Sequence, residues 1–451
     1  MSTAHPLDLS DQIIDSGVAH EPPNRISNEL SELADGVSIV ESFSHVVTVD
    51  TGDGLVSFDT SAANTGDKVV EALRGWSTAP VHSIVYTHGH VDHVGGSRCF
   101  AADASSRGHD GPRVFGHQAV NRRLDRYADT DGYNRAINLR QFGGVPKSSL
   151  GQVGMGAGRS FVPNGTLRVD ADYDGVHTET IGGVTFEHHH ALGETDDHTW
   201  TWLPERRMIT AGDLVIWNFP NCGNPQKVQR YPLEWAQALR AMVAKDPELL
   251  VPAHGLPIRG RARIAGVLET IAGTLEDLVR DVVDAMNAGE TLDTIQQTVS
   301  VDQSLLELPY LRPLYDEPEF VIRNIWRLYG GWWDGNPARL KPPSDAAVGA
   351  EIVALAGSLE ALVARAEASA TAGDLRMACQ LIEYAAAAAP DDATVHTARA
   401  EIYAARRKAE SSLMAKGIFA AARAESQMVL GEDVERRSVR DSVDDSLGRT
   451  D

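Results

Sequence analysis

Thr87-His88-Gly89-His90-Val91-Asp92-His93 sets three imidazoles and a carboxylate within six residues, directly behind the apolar run 81–86. Ile84, Val85 and Tyr86 read as a buried strand, so the cluster falls on the loop where that strand ends. In open α/β architectures ligands bind at such loops. Four donors this close together do not serve one tetrahedral ion without donors from elsewhere. His88 and His90 alternate to one side, while Asp92 and His93 can face a second position. The spacing points to two adjacent metals sharing a polarised water. A solvated histidine-rich loop is the plain alternative for a lone imidazole. Here Gly89 and the pair Gly95-Gly96 loosen the backbone around a crowded donor set.

A metal site closed by one loop would be unusual, so further donors are expected behind other strands. Three positions qualify: Glu194 in Ala191-Leu192-Gly193-Glu194-Thr195, Asp213 in Thr210-Ala211-Gly212-Asp213, and His254 in Val251-Pro252-Ala253-His254-Gly255. Each stands at a strand end next to a glycine, where backbone crowding is least. The run His188-His189-His190 precedes the first of them. In a strand His188 and His190 share a face and His189 takes the other, so at most two reach one site. His82 and His117 read as structural.

At 451 residues, two or three domains are expected. The net charge of −22 argues against a nucleic-acid partner, because phosphate backbones need a basic surface. A small anion stays possible, since a pair of divalent metals reverses the sign locally. Cys99, Cys222 and Cys379 are scattered and odd in number, which suits a reducing compartment rather than a disulfide framework. Cys99, close behind the histidine cluster, reads as a small buried thiol rather than a ligand. The opening Met1-Ser2-Thr3-Ala4-His5-Pro6 has no basic region leading into an apolar core, so no secretory signal is expected. No apolar run reaches membrane-spanning length, and the expected location is cytoplasmic.

Residues 1–35 read as a polar lead-in. Short strands at 37–40, 45–49 and 55–58, a helix over 67–76 and the strand behind the cluster describe a mixed α/β sandwich. From 127 to 165 the pattern dissolves, and the glycines of 151–158 suggest a substrate-covering loop. They match no phosphate-loop or dinucleotide fingerprint. Strands return at 184–190, 199–203, 208–210 and 249–251. After Arg261 the texture is helical: one amphipathic helix to about Gly289, then helices over 319–329, 346–372, 375–389 and 394–423. Asp345 and Pro390 read as cap and stop signals. Residues 425–451 are charged and lack aromatics, the composition of a flexible acidic tail.

The order His-x-His-x-Asp-His, Gly-Glu-Thr, Ala-Gly-Asp and Pro-Ala-His-Gly is similar to that of the metallo-β-lactamase superfamily. The third ligand motif there normally carries a histidine, and Glu194 in its place resembles the alkylsulfatase branch. Trp326-Arg327-Leu328-Tyr329-Gly330-Gly331-Trp332-Trp333-Asp334-Gly335-Asn336-Pro337-Ala338 resembles the signature of the alkylsulfatase dimerisation domain. On its own that run reads as aromatic packing plus a turn. The helices around Gly373, Pro390 and Ala398 resemble the same tetratricopeptide-like domain. The resemblance implies an α/β catalytic domain with an αββα sandwich over 36–262, an all-α dimerisation domain over 263–424, and a homodimer through that domain. It also implies two zinc ions per chain. One would be held by His88, His90 and Glu194, the other by Asp92, His93 and His254, with Asp213 bridging. A water between the ions loses a proton near neutral pH and becomes the nucleophile, with Asp92 and Asp213 as the catalytic carboxylates. A shifted alignment would put Asp197 or His198 in place of Glu194. Otherwise His198 is a candidate to support a ligand or touch substrate.

Two departures concern the substrate. The branch grips sulfate with an arginine in a Pro-Arg-Gly setting, where this chain has Asn224-Pro225-Gln226-Lys227. Lys227 or Arg230 would have to substitute. A Tyr-Gly pair of the branch appears here as Phe142-Gly143, and no sterol-carrier-like domain is expected. Asn221, Lys227, Arg230 and Phe142 are the candidate substrate contacts. The expected function is zinc-dependent hydrolysis of an alkyl sulfate or related anionic ester with an apolar tail. A lactone, thioester, phosphodiester or other ester is the alternative substrate. An alternative of another kind is a dimeric interaction protein with a structural metal site. A nucleic-acid-cleaving role fits the acidic charge least.

Overall fold

Short apolar runs bounded by turns build two sheets. The first contains Leu30–Ala34 (β1), Val37–Val40 (β2), Val46–Asp50 (β3), Leu55–Phe58 (β4), Val81–Val85 (β5), Arg113–His117 (β6) and Ala171–Tyr173 (β7), in that spatial order. β1 to β4 form an antiparallel meander, and β4 to β7 run parallel. The second contains Val176–Ile181 (β8), Val184–Ala191 (β9), His198–Leu203 (β10), Met208–Gly212 (β11), Leu249–Pro252 (β12) and Ile258–Arg259 (β13), arranged β13-β12-β11-β10-β9-β8. β5 lies between parallel neighbours and is buried at every position but His82, which explains its nearly continuous apolar run. The computed structural model describes residues 4–144, 160–432 and 434. Among these, residues within Met1–Asp131 and Arg159–Trp332 form one compact unit, and those within Gly132–Gly158 and Trp333–Asp451 a second.

In the first unit Val47, Phe58, Val85 and Phe115 meet Phe186, Leu203, Met208 and Val251 in one dry layer between the sheets. Helices Gly66–Trp76 and Ser97–Ser106 cover the outer face of the first sheet, with Val69, Leu73 and Phe100 packed near Ile84 and Val114. Pro232–Ala244 and Arg261–Asn287 cover the second, through Trp235, Leu239, Leu268 and Leu275. This is the expected αββα sandwich, with an all-helical region following it. Helices Leu292–Thr298 and Pro318–Gly330 join that same outer core through Ile295, Val321 and Ile325. The helical region therefore begins inside the first unit. Among the described residues no single helix is long and apolar enough to cross a membrane.

The second unit packs Asp345–Ala356, Leu359–Thr371, Leu375–Ala388, Ala393–Ala409 and Leu413–Val429, with Leu362, Ala366, Ala378, Ile382, Val395 and Ile402 in its core.

Several local readings need correction. The polar lead-in contains a helix, Pro6–Ser16, that buries Leu7, Leu9 and Ile13. Its acidic face is neutralised from afar: Asp8 and Asp11 lie 2.8 Å from Arg259, and Asp15 lies 2.6 Å from Arg263. Helices Ala119–Asp129 and Asp131–Gln141 occupy the start of the stretch read as irregular, while the glycine-rich loop 151–158 lies outside the described residues. The helix read over 346–372 is two helices. Gly357 adopts φ +93° and Ser358 caps the second, accepting the Ala361 N–H. The helix read over 394–423 breaks in the same way, at Ser412, which accepts the Ala415 N–H. Ser344 rather than Asp345 caps the helix it precedes. Leu413–Val429 carries helix past residue 425, and the acidic tail beyond 434 lies outside the described residues.

Candidate metal centre

The chain leaves β5 at Val85, passes through His88 and His90, and enters the short helix Val91–Val94 that carries Asp92 and His93. Gly89 is fixed by crowding. A Cβ there would stand 2.9 Å from Arg123 Cδ and 3.0 Å from Asp197 Oδ2, and the Gly89 N–H donates to that same oxygen. Glu194 sits in the turn between β9 and β10, Asp213 directly after β11, and His254 just after β12. Gly212 holds φ +55°, and a Cβ on it would come within 2.6 Å of the His198 ring. The second sheet thus delivers three ligands at its strand ends, and the first sheet the other four.

All seven candidate ligands converge. His88 Nε2 lies 2.8 Å from His90 Nδ1 and 3.8 Å from Asp213 Oδ2. His93 Nε2 lies 3.4 Å from Asp213 Oδ2 and 3.5 Å from Asp92 Oδ2. His254 Nε2 lies 3.5 Å from Asp92 Oδ2 and 3.7 Å from Asp213 Oδ1. His90 Nδ1 lies 3.7 Å from Glu194 Oε1. Three sets have their donor atoms within 4.8 Å of one another: His88, His93 and Asp213; Asp92, His93 and His254; His90, Glu194 and Asp213. Asp213 Oδ2 lies near both His88 and His93 and Oδ1 lies near His254, which sets this carboxylate between the donor groups. His88 groups with His93 and Asp213 as well as touching His90, so the two halves are less separate than the expected His88–His90–Glu194 set.

Partners behind the ligands orient them. Asp59, at the end of β4, accepts the Thr87 N–H at 2.8 Å and the Thr87 hydroxyl at 2.7 Å. It also lies 2.7 Å from His93 Nδ1, which turns Nε2 into the cluster. Nothing in the sequence singled Asp59 out. Arg123, also missed, donates from Nε to Asp197 at 2.8 Å and from Nη2 to Asp196. Asp197 therefore pins Gly89 and Arg123. His198 Nε2 accepts the Asp213 N–H at 3.0 Å, and its ring stacks on His88 at 5.0 Å. Neither joins His90 and Asp213 as Glu194 does.

Glu194 is itself clasped. Its Oε1 accepts from Asn221 Nδ2 at 2.6 Å and Arg230 Nη1 at 2.7 Å, and Arg230 also donates to the Asn221 carbonyl. Arg230 is thus engaged with a ligand rather than turned toward a substrate. Lys227, half-buried, is held down to about 8 by burial and by the Arg230 charge, with Glu194 and Asp92 acting the other way. Phe142 lies in the second unit, not in the one carrying the ligands.

The electrostatics fit divalent cations. Burial, reinforced by neighbouring cationic groups, holds His88 and His90 well below the usual imidazole range, in the neutral form a metal requires. Burial also opposes charge on His93 and His254, yet Asp213 and Asp92 overcome it and raise both. Burial pushes Glu194 up to about 7 against the pull of Arg230, and Asp213 adds repulsion. Three carboxylates crowded in a buried pocket call for positive charge. His93 Nε2 and Asp213 Oδ1 are buried without a hydrogen-bond partner, and both face the cluster. Orphaned donor atoms of this kind suit a cation.

Residues 39–254 match the family model of the metallo-beta-lactamase superfamily. With the two-sheet fold and the ligand motifs, the chain belongs to that superfamily. Residues 291–428 match the model of alkyl sulfatase dimerisation. The chain falls in the alkylsulfatase branch. A linear primary-alkylsulfatase from Pseudomonas sp. is 26% identical over 361 residues, covering 76% of this chain and 66% of that protein. Alkyl/aryl-sulfatase BDS1 from Saccharomyces cerevisiae is 25% identical over 380 residues, covering 80% and 56%. The solved structure of the stereoselective inverting sec-alkylsulfatase Pisa1 from Pseudomonas sp. shares the fold. Its TM-score is 0.77 at 22% identity, over 88% of this chain and 66% of that one. The chain spans between 56% and 66% of the length of these relatives.

Proposed function

We propose that this chain is a binuclear zinc-dependent hydrolase of alkyl sulfate esters or related anionic esters. The carrying observation is the convergence of His88, His90, Asp92, His93, Glu194, Asp213 and His254, with donor atoms in overlapping groups within 4.8 Å. The relatives' activity on alkyl sulfates supports the substrate class. When bound, divalent ions in such a cradle acidify water and neutralise charge developing on the ester. The chain's own residues hold that arrangement. Asp59 turns His93, Asn221 and Arg230 hold Glu194, and the backbone of Asp213 rests on His198. A complete donor set argues against a role as a mere interaction protein.

Lys227 is the group we assign to the anionic end of the substrate, because it stands in the segment where the branch carries its sulfate-gripping arginine. A lysine is a point charge, whereas an arginine offers a planar fork matched to sulfate. With Arg230 committed to Glu194, a second reading is favoured to that extent: another ester, a thioester, lactone or phosphodiester, processed at the same centre. A homodimer through the helical region is part of the proposal, supported by the dimerisation match. A substrate panel run with zinc analysis tests the assignment. Release of inorganic sulfate from a medium-chain alkyl sulfate is expected. Turnover of thioesters or lactones without any of sulfates would move the protein to the second reading.

A further inference from the structure

The two side chains that clasp Glu194, Asn221 and Arg230, stand on one stretch, residues 219–231, that contains no helix or strand. Its position is therefore set from outside the two sheets. The Phe219 N–H donates to the Arg312 carbonyl at 2.9 Å, and the Gly223 N–H donates to Asp316 Oδ2 at 2.6 Å, one on each side of Asn221. Gly223 lies hard against the start of the helix Pro318–Gly330, where a Cβ would stand 2.3 Å from the Val321 nitrogen.

Arg230 is anchored through its backbone by the same helix. Its carbonyl accepts from Asn324 Nδ2 at 2.9 Å. The N–H of that same peptide group, which belongs to Tyr231, donates to the Gly193 carbonyl at 3.0 Å. One peptide plane thus joins Asn324 to the residue before Glu194. Gln229 Nε2 also donates to the Arg230 carbonyl at 2.9 Å, and Asn324 Oδ1 accepts from that Nε2 at 2.9 Å. Asn324 holds both donors. It is buried, and its amide is met on both atoms, as a buried polar group must be. Val321, Ile322 and Ile325 of the helix enter the apolar core, so the helix packs with one set of residues and holds 219–231 with another.

We infer, resting on the reading of Glu194 as a ligand in a hydrolytic centre, that Asn324 is a positioning residue for Glu194. It fixes the 230–231 peptide and, through it, the Arg230 guanidinium on the Glu194 carboxylate. Asn324 falls within 291–428, the stretch matched to alkyl sulfatase dimerisation, so that stretch takes part in building the centre. The test compares full chains carrying N324A, R230M, both changes together, and I325V with the unaltered chain. I325V thins the core under the same helix without touching 219–231. N324D is the second variant, since it keeps the shape and the acceptor for Gln229 and loses the donor to Arg230.

Zinc affinity is read by competition with a chelator, and amide hydrogen exchange at Gly193 and Tyr231 is read in the metal-free chains. N324A and N324D are each expected to lose zinc affinity roughly 10-fold, the lower end of what outer partners of ligands carry. Exchange at Tyr231 should quicken in both. In the R230M background N324A should add nothing, because residues acting through one another are not additive. I325V should leave zinc affinity unchanged. Unchanged affinity in N324A and N324D, the same loss in I325V, or an equal further loss in the R230M background would overturn the assignment. Failure to turn over alkyl sulfates would count against the proposed substrate and leave these readouts standing. An unaltered chain that takes up no zinc would count against the proposed centre, and the exchange at Gly193 and Tyr231 would then decide: unchanged rates in N324A overturn the role of Asn324.

Discussion

The seven-ligand centre and the His117–Asp174–His190 group contain the same side-chain types but arrange them differently. In the centre four of the candidate ligands have a buried partner outside the set: His88 has Thr87, His93 has Asp59, Glu194 has Arg230 and Asn221, and Asp213 rests its N–H on His198. In the other group only His117 is buried, and Asp174 lies open to solvent. Ligands fixed by an outer shell keep their geometry while charge changes on a substrate, which catalysis requires. In the other group the two imidazoles lie face to face with planes 5° from parallel, so their lone pairs do not converge on one point.

The largest expected effect breaks the centre directly. His90→Ala is expected to lower hydrolysis of a medium-chain alkyl sulfate by roughly 10³-fold or more, since metal assistance is worth several kcal/mol. Initial rates at equal protein concentration measure it, and a loss below tenfold would contradict the ligand role. Arg230→Met comes next. It strands the Glu194 carboxylate among Asp213 and Asp92, and breaking a buried pair costs about 3–5 kcal/mol. Urea unfolding of both chains gives the difference, and stability unchanged within about 1 kcal/mol would show that the clasp is idle.

Asp59→Asn sharpens the contrast between the two groups. Its effect should be a 10- to 100-fold loss of metal affinity at the centre, roughly the usual weight of such outer partners. Competition with a chelator reads it out, and unchanged affinity would show that the Asp59 contact does not orient His93.

A smaller effect concerns Asp316, which accepts the Gly223 N–H at 2.6 Å and the Glu317 N–H at 2.8 Å. Burial pushes its carboxyl up to about 7 despite these bonds. The folded chain therefore holds this proton more tightly than the unfolded chain. The group's stabilising contribution is complete below its ordinary value of about 4 and disappears as pH rises through about 7. Asp316→Asn should flatten the decline in stability over that window, and an unchanged pH profile of melting temperature would count against the shift. Least of all should Asp174→Asn alter hydrolysis, since Asp174 is exposed and stands outside the seven-ligand cluster.

What could be read from the sequence follows from how contacts are spaced. His88, His90, Asp92 and His93 are contiguous, and Glu194, Asp213 and His254 each mark a strand end beside or near a glycine, so they were legible one by one. Asp59 follows a strand too, but an acid after Phe58 has no pattern until Thr87 and His93 fold back onto it. The helix Pro6–Ser16 looked polar because the arginines that neutralise Asp8, Asp11 and Asp15 stand at 259 and 263. Long helical periodicity hid the breaks at Gly357 and Ser412, since apolar spacing resumes in phase on either side. His117 read as structural, and it accepts the Ala119 N–H and stacks on His190.

Metal analysis of the full chain tests the central claim most directly. The account predicts about two zinc ions per chain, lost together with hydrolysis when His90 or Asp213 is replaced. One ion or none, or full zinc content persisting after those replacements, would contradict it.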